Sequence, residues 1–291
     1  MPVLYQHMRL LPLLTAATLT LALTGPAMSE VPLDFDGQFR QGGLVVARTE
    51  AGAAVDVDGH PARVSPDGVF LVGIGRDRIE PVEIRIISPT GEERLAEKPV
   101  STREYRIQRI DGLPQRQVSP PEDVLERIRQ EANLARSARM RDDPRTDFLA
   151  GFIWPLDGPI TGVYGSQRIL NGEPRRPHFG VDVAAPVGTP VVAPAPGIIS
   201  LAHPDMYYSG GTLIMDHGHG LSSTFIHLSR ILVTEGQRVE QGQVVAEVGA
   251  TGRATGPHLD WRINLFESRL DPESVVPPRS SQGLLENGVR E

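Results

Sequence analysis

R-P-H-F-G-V-D-V-A-A-P, residues 176–186, and T-G-P-H-L-D-W, residues 255–261, bracket the stretch around which this 291-residue chain is organised. Between them lie Val191-Val192-Ala193, Gly197-Ile198-Ile199, Thr212-Leu213-Ile214-Met215, Ser223-Thr224-Phe225-Ile226 and Val244-Val245-Ala246-Glu247-Val248. These are short β-branched and apolar runs punctuated by Gly and Pro, and no long amphipathic helix interrupts them. From Phe152 onward an all-β sheet or barrel-like fold is therefore expected. The same stretch contains His178, His203, His217, His219, His227 and His258, whereas only His7 and His60 lie outside it. Histidine is the commonest metal ligand and a frequent general base, so this cluster beside Asp182 and Asp260 points to a metal site, with a zinc hydrolase core as the expectation.

The spacing of these residues constrains the backbone. His178 and Asp182 stand at i, i+4, but Pro177, Gly180, Val181 and Val183 argue against a helix. On a straight strand the two would be roughly 13 Å apart, too far to share one ion. The chain must bend between them, and Gly180 is where it can. His258 and Asp260, at i, i+2, fall on one face of a strand. His227 ends the strand F-I-H-L-S and is placed to face the same cleft. His217 and His219, in the turn D-H-G-H-G, read as structural rather than as ligands.

Upstream, residues 31–112 read as strands: Leu44–Ala47 after Gly42-Gly43, the alternating Val55-Asp56-Val57-Asp58-Gly59, Val69–Val72 after Pro66-Asp67-Gly68, and Val82-Glu83-Ile84-Arg85-Ile86. Their length and spacing suggest a small β-sandwich over residues 30–115. No constellation of acid, base and nucleophile appears in it, so it is read as a spacer or docking module. Ser119-Pro120-Pro121-Glu122 marks a helix start, and Val124, Leu125, Ile128, Ala132 and Ala135 recur at helical spacing. A linking helix within 116–150, running to about Met140 with solvated Arg- and Glu-rich faces, is expected, with a place beside the active cleft as the alternative. The third unit is 151–273, and the tail, 274–291, with Pro277-Pro278 and Ser280-Ser281, is expected to be disordered.

Residues 1–29 read as a signal peptide. Arg9 gives the positive end, Leu10 to Leu23 the apolar run, and Ala27-Met28-Ser29 the small-x-small cleavage site. A periplasmic protein with no membrane span after cleavage is expected; an uncleaved anchor is the alternative. The formal net charge of −7 gives no basic footprint for nucleic acid. With no cysteine there is no disulfide, thiolate metal site or cysteine nucleophile.

The motifs H-F-G-V-D (178–182), D-H-G-H-G-L-S-S-T-F-I-H-L-S (216–229) and E-G-Q-R-V-E-Q-G-Q-V-V-A-E-V-G-A-T-G-R-A-T-G-P-H-L-D-W (235–261) together resemble the lysostaphin-type, or LytM-like, zinc metalloendopeptidases. The resemblance covers about residues 152–272. It implies that His178 and Asp182 bind zinc, that His227 assists catalysis, that His258 activates water or stabilises the transition state, and that position 260 supplies the third ligand. The family has H-x-H where this chain has H-L-D. A carboxylate binds zinc at a similar distance, so a His178, Asp182, Asp260 site is chemically reasonable. Counting ligands alone, however, the centre falls from about +1 to about 0, which weakens its Lewis acidity.

The resemblance further implies a peptidoglycan stem-peptide cross-link as substrate, with Arg168, Arg175, Arg176 and Arg253 available to meet its carboxylates. The alternative is a LytM-like regulator with a weak or lost zinc site that activates a cell-wall amidase, the N-terminal module contacting that amidase or another envelope protein. P-V-G-T-P-V-V-A-P-A-P-G-I-I-S and V-E-Q-G-Q-V-V-A-E-V-G also resemble biotinyl and lipoyl hairpins. Lys98 is the only lysine, so no carrier lysine exists in that region, and the likeness supports a barrel-sandwich fold only.

Overall fold

The computed structural model describes residues 30–110, 122–170 and 172–279. Residues 1–29, read as a signal peptide, Ser119-Pro120-Pro121 and residues 280–291 lie outside the described residues. The centre of the molecule is an antiparallel sheet. Its strand order is Arg238–Val239, Gly197–Met206, Gly210–Asp216, Leu221–Leu228, His258–Leu265, Val181–Ala184 and Ile160–Gly162, with Ser268–Leu270 pairing beside His258–Leu265. One face is apolar. Val181, Val183, Leu213, Met215, Phe225, Leu259, Trp261 and Ile263 are all fully buried there. They pack with Val191, Val245 and Ala246, which come from a three-stranded sheet of Pro190–Val192, Val244–Glu247 and Arg230–Ile231. The period-2 alternation of these strands thus turns one set of side chains into the core and leaves the other set for chemistry.

The N-terminal half is a two-layer sandwich. A sheet of Asp34–Gly37, Leu44–Arg48 and Val69–Gly73 faces one of His60–Ala62, Ala54–Val57, Val82–Ile87 and Glu93–Lys98. Val45, Phe70 and Val72 meet Val55, Ile84 and Ile86 between them. The first sheet is buried on both sides. Its other face carries Leu44, Val69 and Leu71 into the core of the central sheet, which is why 69–73 reads V-F-L-V-G rather than alternating.

Two limits drawn from the sequence move. Ile107–Ile110, placed in the N-terminal unit, pairs in parallel with Gln167–Leu170 of the third. Residues 274–279, expected to be disordered with the tail, are docked instead. Trp154 Nε1 donates to Pro277 O at 3.1 Å, and the Arg279 guanidinium lies 3.9 Å over the Trp154 ring. Proline-rich composition signalled an absence of helix and strand there, but not an absence of packing.

Helix α1, Leu125–Arg139, crosses the non-core face of the central sheet. Ala135 and Ala138 pack on Leu201, Met206 and Ile214. Its charged faces are solvated, as expected, and carry ion pairs and a hydrogen bond to the sheet's edge. Arg127 pairs with Asp205 at 3.1 Å, Glu131 Oε2 accepts from Tyr207 N at 2.8 Å, and Arg136 pairs with Glu267. Among the described residues no helix is long and apolar enough to cross a membrane.

Candidate metal centre

One cross-strand register assembles most of the site. Val181–Ala184 pairs antiparallel with His258–Leu265 so that Asp182 lies opposite Asp260 and Ala184 opposite His258. Directly opposed residues share a face with Cβ atoms about 5 Å apart. Asp182, His258 and Asp260 therefore project from one side of the sheet. His178 enters from the preceding loop, fixed by His178 N donating to Ser166 O at 2.8 Å. Gly180 then makes the bend, where a Cβ would run into Asp260 Oδ1 and the Trp261 carbonyl. Gly162 likewise leaves the space that Asp182 Oδ2 occupies.

His178 Nε2 lies 3.1 Å from Asp182 Oδ1 and 3.3 Å from Asp260 Oδ2. The edge of a tetrahedron with metal bonds of about 2.0–2.1 Å is about 3.3 Å, so the separations suit ligands of one ion. Asp182 Oδ1 is buried without an aligned hydrogen-bond donor, and such an orphaned acceptor is what a cation satisfies. His178 Nδ1 is 3.3 Å from Val163 O, the contact that turns Nε2 toward the carboxylates. Burial opposes protonation of His178, but the adjoining Asp182 and Asp260 carboxylates outweigh it and push the imidazole up to about 10. The pocket draws positive charge.

His227 and His258 complete the cluster, with ring centroids 4.8 Å apart. His258 Nδ1 donates to Gly256 O at 2.7 Å and His227 Nδ1 to Thr251 O at 2.8 Å. Each ring is thereby held as the tautomer whose Nε2 is a free acceptor, and His258 Nε2 stands 3.8 Å from Asp182 Oδ1. Burial holds His227 below its ordinary value. Its φ of +66° breaks the strand alternation that would send residue 227 to the core side. This left-handed backbone is unfavourable by about 1–2 kcal/mol for a non-glycine residue, so the surroundings impose it.

Asp260 has a partner that the sequence reading did not weigh. Arg262, at i, i+2 on the same face, donates from Nε to Oδ1 at 2.9 Å and from a terminal nitrogen to Oδ2 at 2.5 Å. Burial alone would raise the Asp260 pKa, but Arg262 and His178 hold it far below the usual carboxylate range. The expected loss of charge at the centre counted ligands only. With the guanidinium included, the local charge returns to about +1, so a carboxylate and an arginine together stand in for one neutral histidine. The alternation that put His258 and Asp260 on one face also placed Arg262 there, so this signal was present in the sequence.

The other histidines lie elsewhere. His203 accepts from Asp205 N at 3.2 Å, outside the cluster. His217 is fully buried between Pro196 O and Ser223 Oγ, at 2.7 and 2.8 Å, and His219 packs edge-on against Phe148 at 5.2 Å. Of the arginines singled out, Arg175 pairs with Glu173 at 3.0 Å and Arg253 stacks over Tyr208 at 4.4 Å. Only Arg176 among them borders the cavity beside the site; the Arg168 side chain lies outside the described residues.

Fold and site together define a class: a β-sheet protein whose non-core face carries a His–Asp–Asp group able to hold a metal ion, flanked by two oriented imidazoles. Residues 176–272 match peptidase family M23. A crystal structure from Pseudomonas aeruginosa, assigned to peptidase M23, is 31% identical, with a TM-score of 0.64 over 81% of this chain and 93% of that one. The chain belongs to peptidase family M23. It is also similar to the peptidoglycan DD-endopeptidase ShyA of Vibrio cholerae, 35% identical over 38% of this chain and 29% of that protein. For the DD-endopeptidase ShyB of the same organism the identity is 43%, over 45% and 28%. The likeness thus spans less than a third of these curated relatives' length.

Proposed function

We propose that this chain is a zinc-dependent endopeptidase that hydrolyses peptide cross-links of peptidoglycan in the periplasm, with His178, Asp182 and Asp260 as metal ligands and His227 and His258 as the catalytic histidines. The observation that carries this reading is the convergence of the three ligand atoms, all within 4.8 Å of one another, beside two imidazoles with free Nε2 atoms. The relatives named as peptidoglycan DD-endopeptidases support the substrate class, and the apolar run Leu10 to Leu23 supports export. Bound zinc supplies Lewis acidity toward an amide carbonyl and toward water. The chain's own residues do the rest. His258 takes a proton at Nε2 while its Nδ1–H stays on Gly256 O, and His227, held neutral by burial with its Nδ1–H on Thr251 O, accepts a hydrogen bond at Nε2 from the attacking water. Arg262 holds Asp260 ionised and in one rotamer.

The test is metal analysis of the purified chain combined with mass spectrometry of digested cross-linked muropeptides. We expect about one zinc per chain, lost in Asp260→Ala and His178→Ala, retained in His258→Ala, and cleavage absent from all three. If the chain carries no metal, cleaves nothing and only stimulates an added cell-wall amidase, the regulator reading replaces this one.

A further inference from the structure

Next to the metal centre, on the same face of the central sheet and beneath α1, lies a cavity of about 710 Å³. That is the size range of sites that enclose a peptide-sized ligand. Phe179 and Tyr208 contribute aromatic lining, and five arginines reach it: Arg136, Arg139, Arg176, Arg262 and Arg269. Two of them are matched by acids, Arg136 by Glu267 and Arg262 by Asp260. The other three have no carboxylate within ion-pair distance among the described residues. Arg269 reaches Asn264 Oδ1 at 3.3 Å and lies 5.9 Å from the Phe179 ring centroid, and Arg176 lies 5.8 Å from the same ring. Arg139 and Arg269 are partly buried and Arg176 stands exposed at the rim; two unmatched, partly desolvated guanidiniums side by side are unfavourable unless something anionic joins them.

We propose that this cavity is the subsite for a carboxylate-bearing segment of the stem peptide, with Arg139, Arg176 and Arg269 as its specificity-determining residues. The inference rests on the reading of the site as a peptidoglycan peptidase, which supplies the substrate, and goes beyond it in naming where the peptide's negative charge is read. Burial, then the neighbouring Arg262 and Arg176, push Arg139 down to about 10, and burial, then Arg139 and Arg262, push Arg269 down to about 9. Both remain charged at neutral pH, so the cluster is a standing positive field. A carboxylate accepts planar, paired hydrogen bonds from arginine, and the aromatic lining suits the peptide backbone around it. Arg139 comes from α1, outside the segment that matches the family. The helix between the two halves is therefore part of the substrate site and not only a connector.

The experiment uses the full chain and isothermal titration with a diaminopimelate-containing stem tetrapeptide, beside the same peptide with its carboxylates amidated. A charge-assisted hydrogen bond contributes about 1.5–3 kcal/mol, which converts to roughly 10–100-fold in affinity. The native chain should favour the free-carboxylate peptide by at least about tenfold. Arg139→Gln and Arg176→Gln should each remove most of that preference while leaving affinity for the amidated peptide and the zinc content unchanged. Arg139→Lys, which keeps the charge but not the fork, should retain part of it. Equal affinity of the native chain for both peptides, or equal losses for both in the variants, would overturn the proposal. Cleavage of cross-linked dimers, measured in parallel, separates the two ideas. A chain that cleaves dimers without discriminating carboxylates refutes the subsite alone, whereas one that discriminates but never cleaves refutes the hydrolase.

Discussion

Asp260 is 2% exposed, and Arg262 keeps about a quarter of its side chain, 26%, open to the cavity. Their bidentate pair has a consequence for any attempt to restore the family's H-x-H. Asp260→His supplies a neutral ligand but leaves the guanidinium without a partner in a mostly dry place. Breaking a buried pair from one side is unfavourable by about 3–5 kcal/mol, less here because the arginine is partly solvated. Asp260→His alone should therefore lower thermal stability and bind zinc more weakly than the native chain, whereas Asp260→His with Arg262→Gln should recover both. A double-mutant cycle on melting temperature and zinc affinity measures the coupling, and additive effects would refute it. His217 makes a separate prediction. Burial pushes it down to about 4 from an ordinary value near 6.5. The folded state holds it neutral while the unfolded chain takes up the proton, so its contribution to stability is complete above about pH 6.5 and is lost as pH falls toward 4. One group over that interval is worth about 3 kcal/mol. Urea unfolding of the native chain between pH 7 and 4.5 should show that decline, and His217→Gln should be less pH-sensitive by close to one proton. Equal slopes would show that the site does not titrate in this way.

Helix α1 is held chiefly by pairs that water reaches. Arg127 and Asp205 are 46% and 73% exposed at their side chains, and Arg136 and Glu267 are 63% and 58% exposed. Such exposed pairs are weak in water and weaken further with salt. Of the helix's residues only Ala138 is buried. In hydrogen exchange, amides of 125–139 should open at least about a hundredfold faster than those of 210–216, 221–228 and 258–265, and faster still in 1 M salt. Comparable protection would mean that α1 is integral to the core. The helix also shows where the sequence was readable and where it was not. Its existence followed from the recurrence of Leu125, Ile128, Ala132 and Ala135, but that stripe borders a cavity at Ile128 and Ala132 and meets packed side chains only at its end, where Ala135 joins Leu201, Met206 and Ile214. Periodicity reports that a face is turned inward, not whether atoms fill the space. The strands carrying Asp182, His227, His258 and Asp260 were legible because alternation and glycine punctuation are local signals. The meeting of Asp182 with Asp260 was not in those local signals and came only from the family resemblance, because cross-strand register depends on the whole sheet.

At the scale of the molecule, the boundary that composition suggested between a β-sandwich and a peptidase core does not separate two independently packed bodies. Leu44, Val69 and Leu71 belong to the core of the central sheet, while Val45, Phe70 and Val72, their neighbours on the same two strands, belong to the sandwich. Gly73 lies against Leu265 and Leu270, where a Cβ would come within 3.1 Å of Leu265. Leu265 is on the strand that begins with His258 and contains Asp260. Two cores that share one sheet cannot lose it separately, so the described chain should unfold in a single transition. Leu71→Ala, on the side facing the central sheet, and Ile84→Ala, deep in the sandwich, should each destabilise by about 2–4 kcal/mol and lower the same melting temperature, by roughly 5–10 °C for a chain of this size. Zinc release, followed with a chromophoric chelator during heating, should track that transition in the native chain and in both variants, although Ile84 touches neither the metal site nor the sheet that carries it. Two resolved calorimetric peaks, with Ile84→Ala moving only the first and zinc leaving at the second, would show instead that the sandwich folds alone and that the shared sheet transmits nothing to the site.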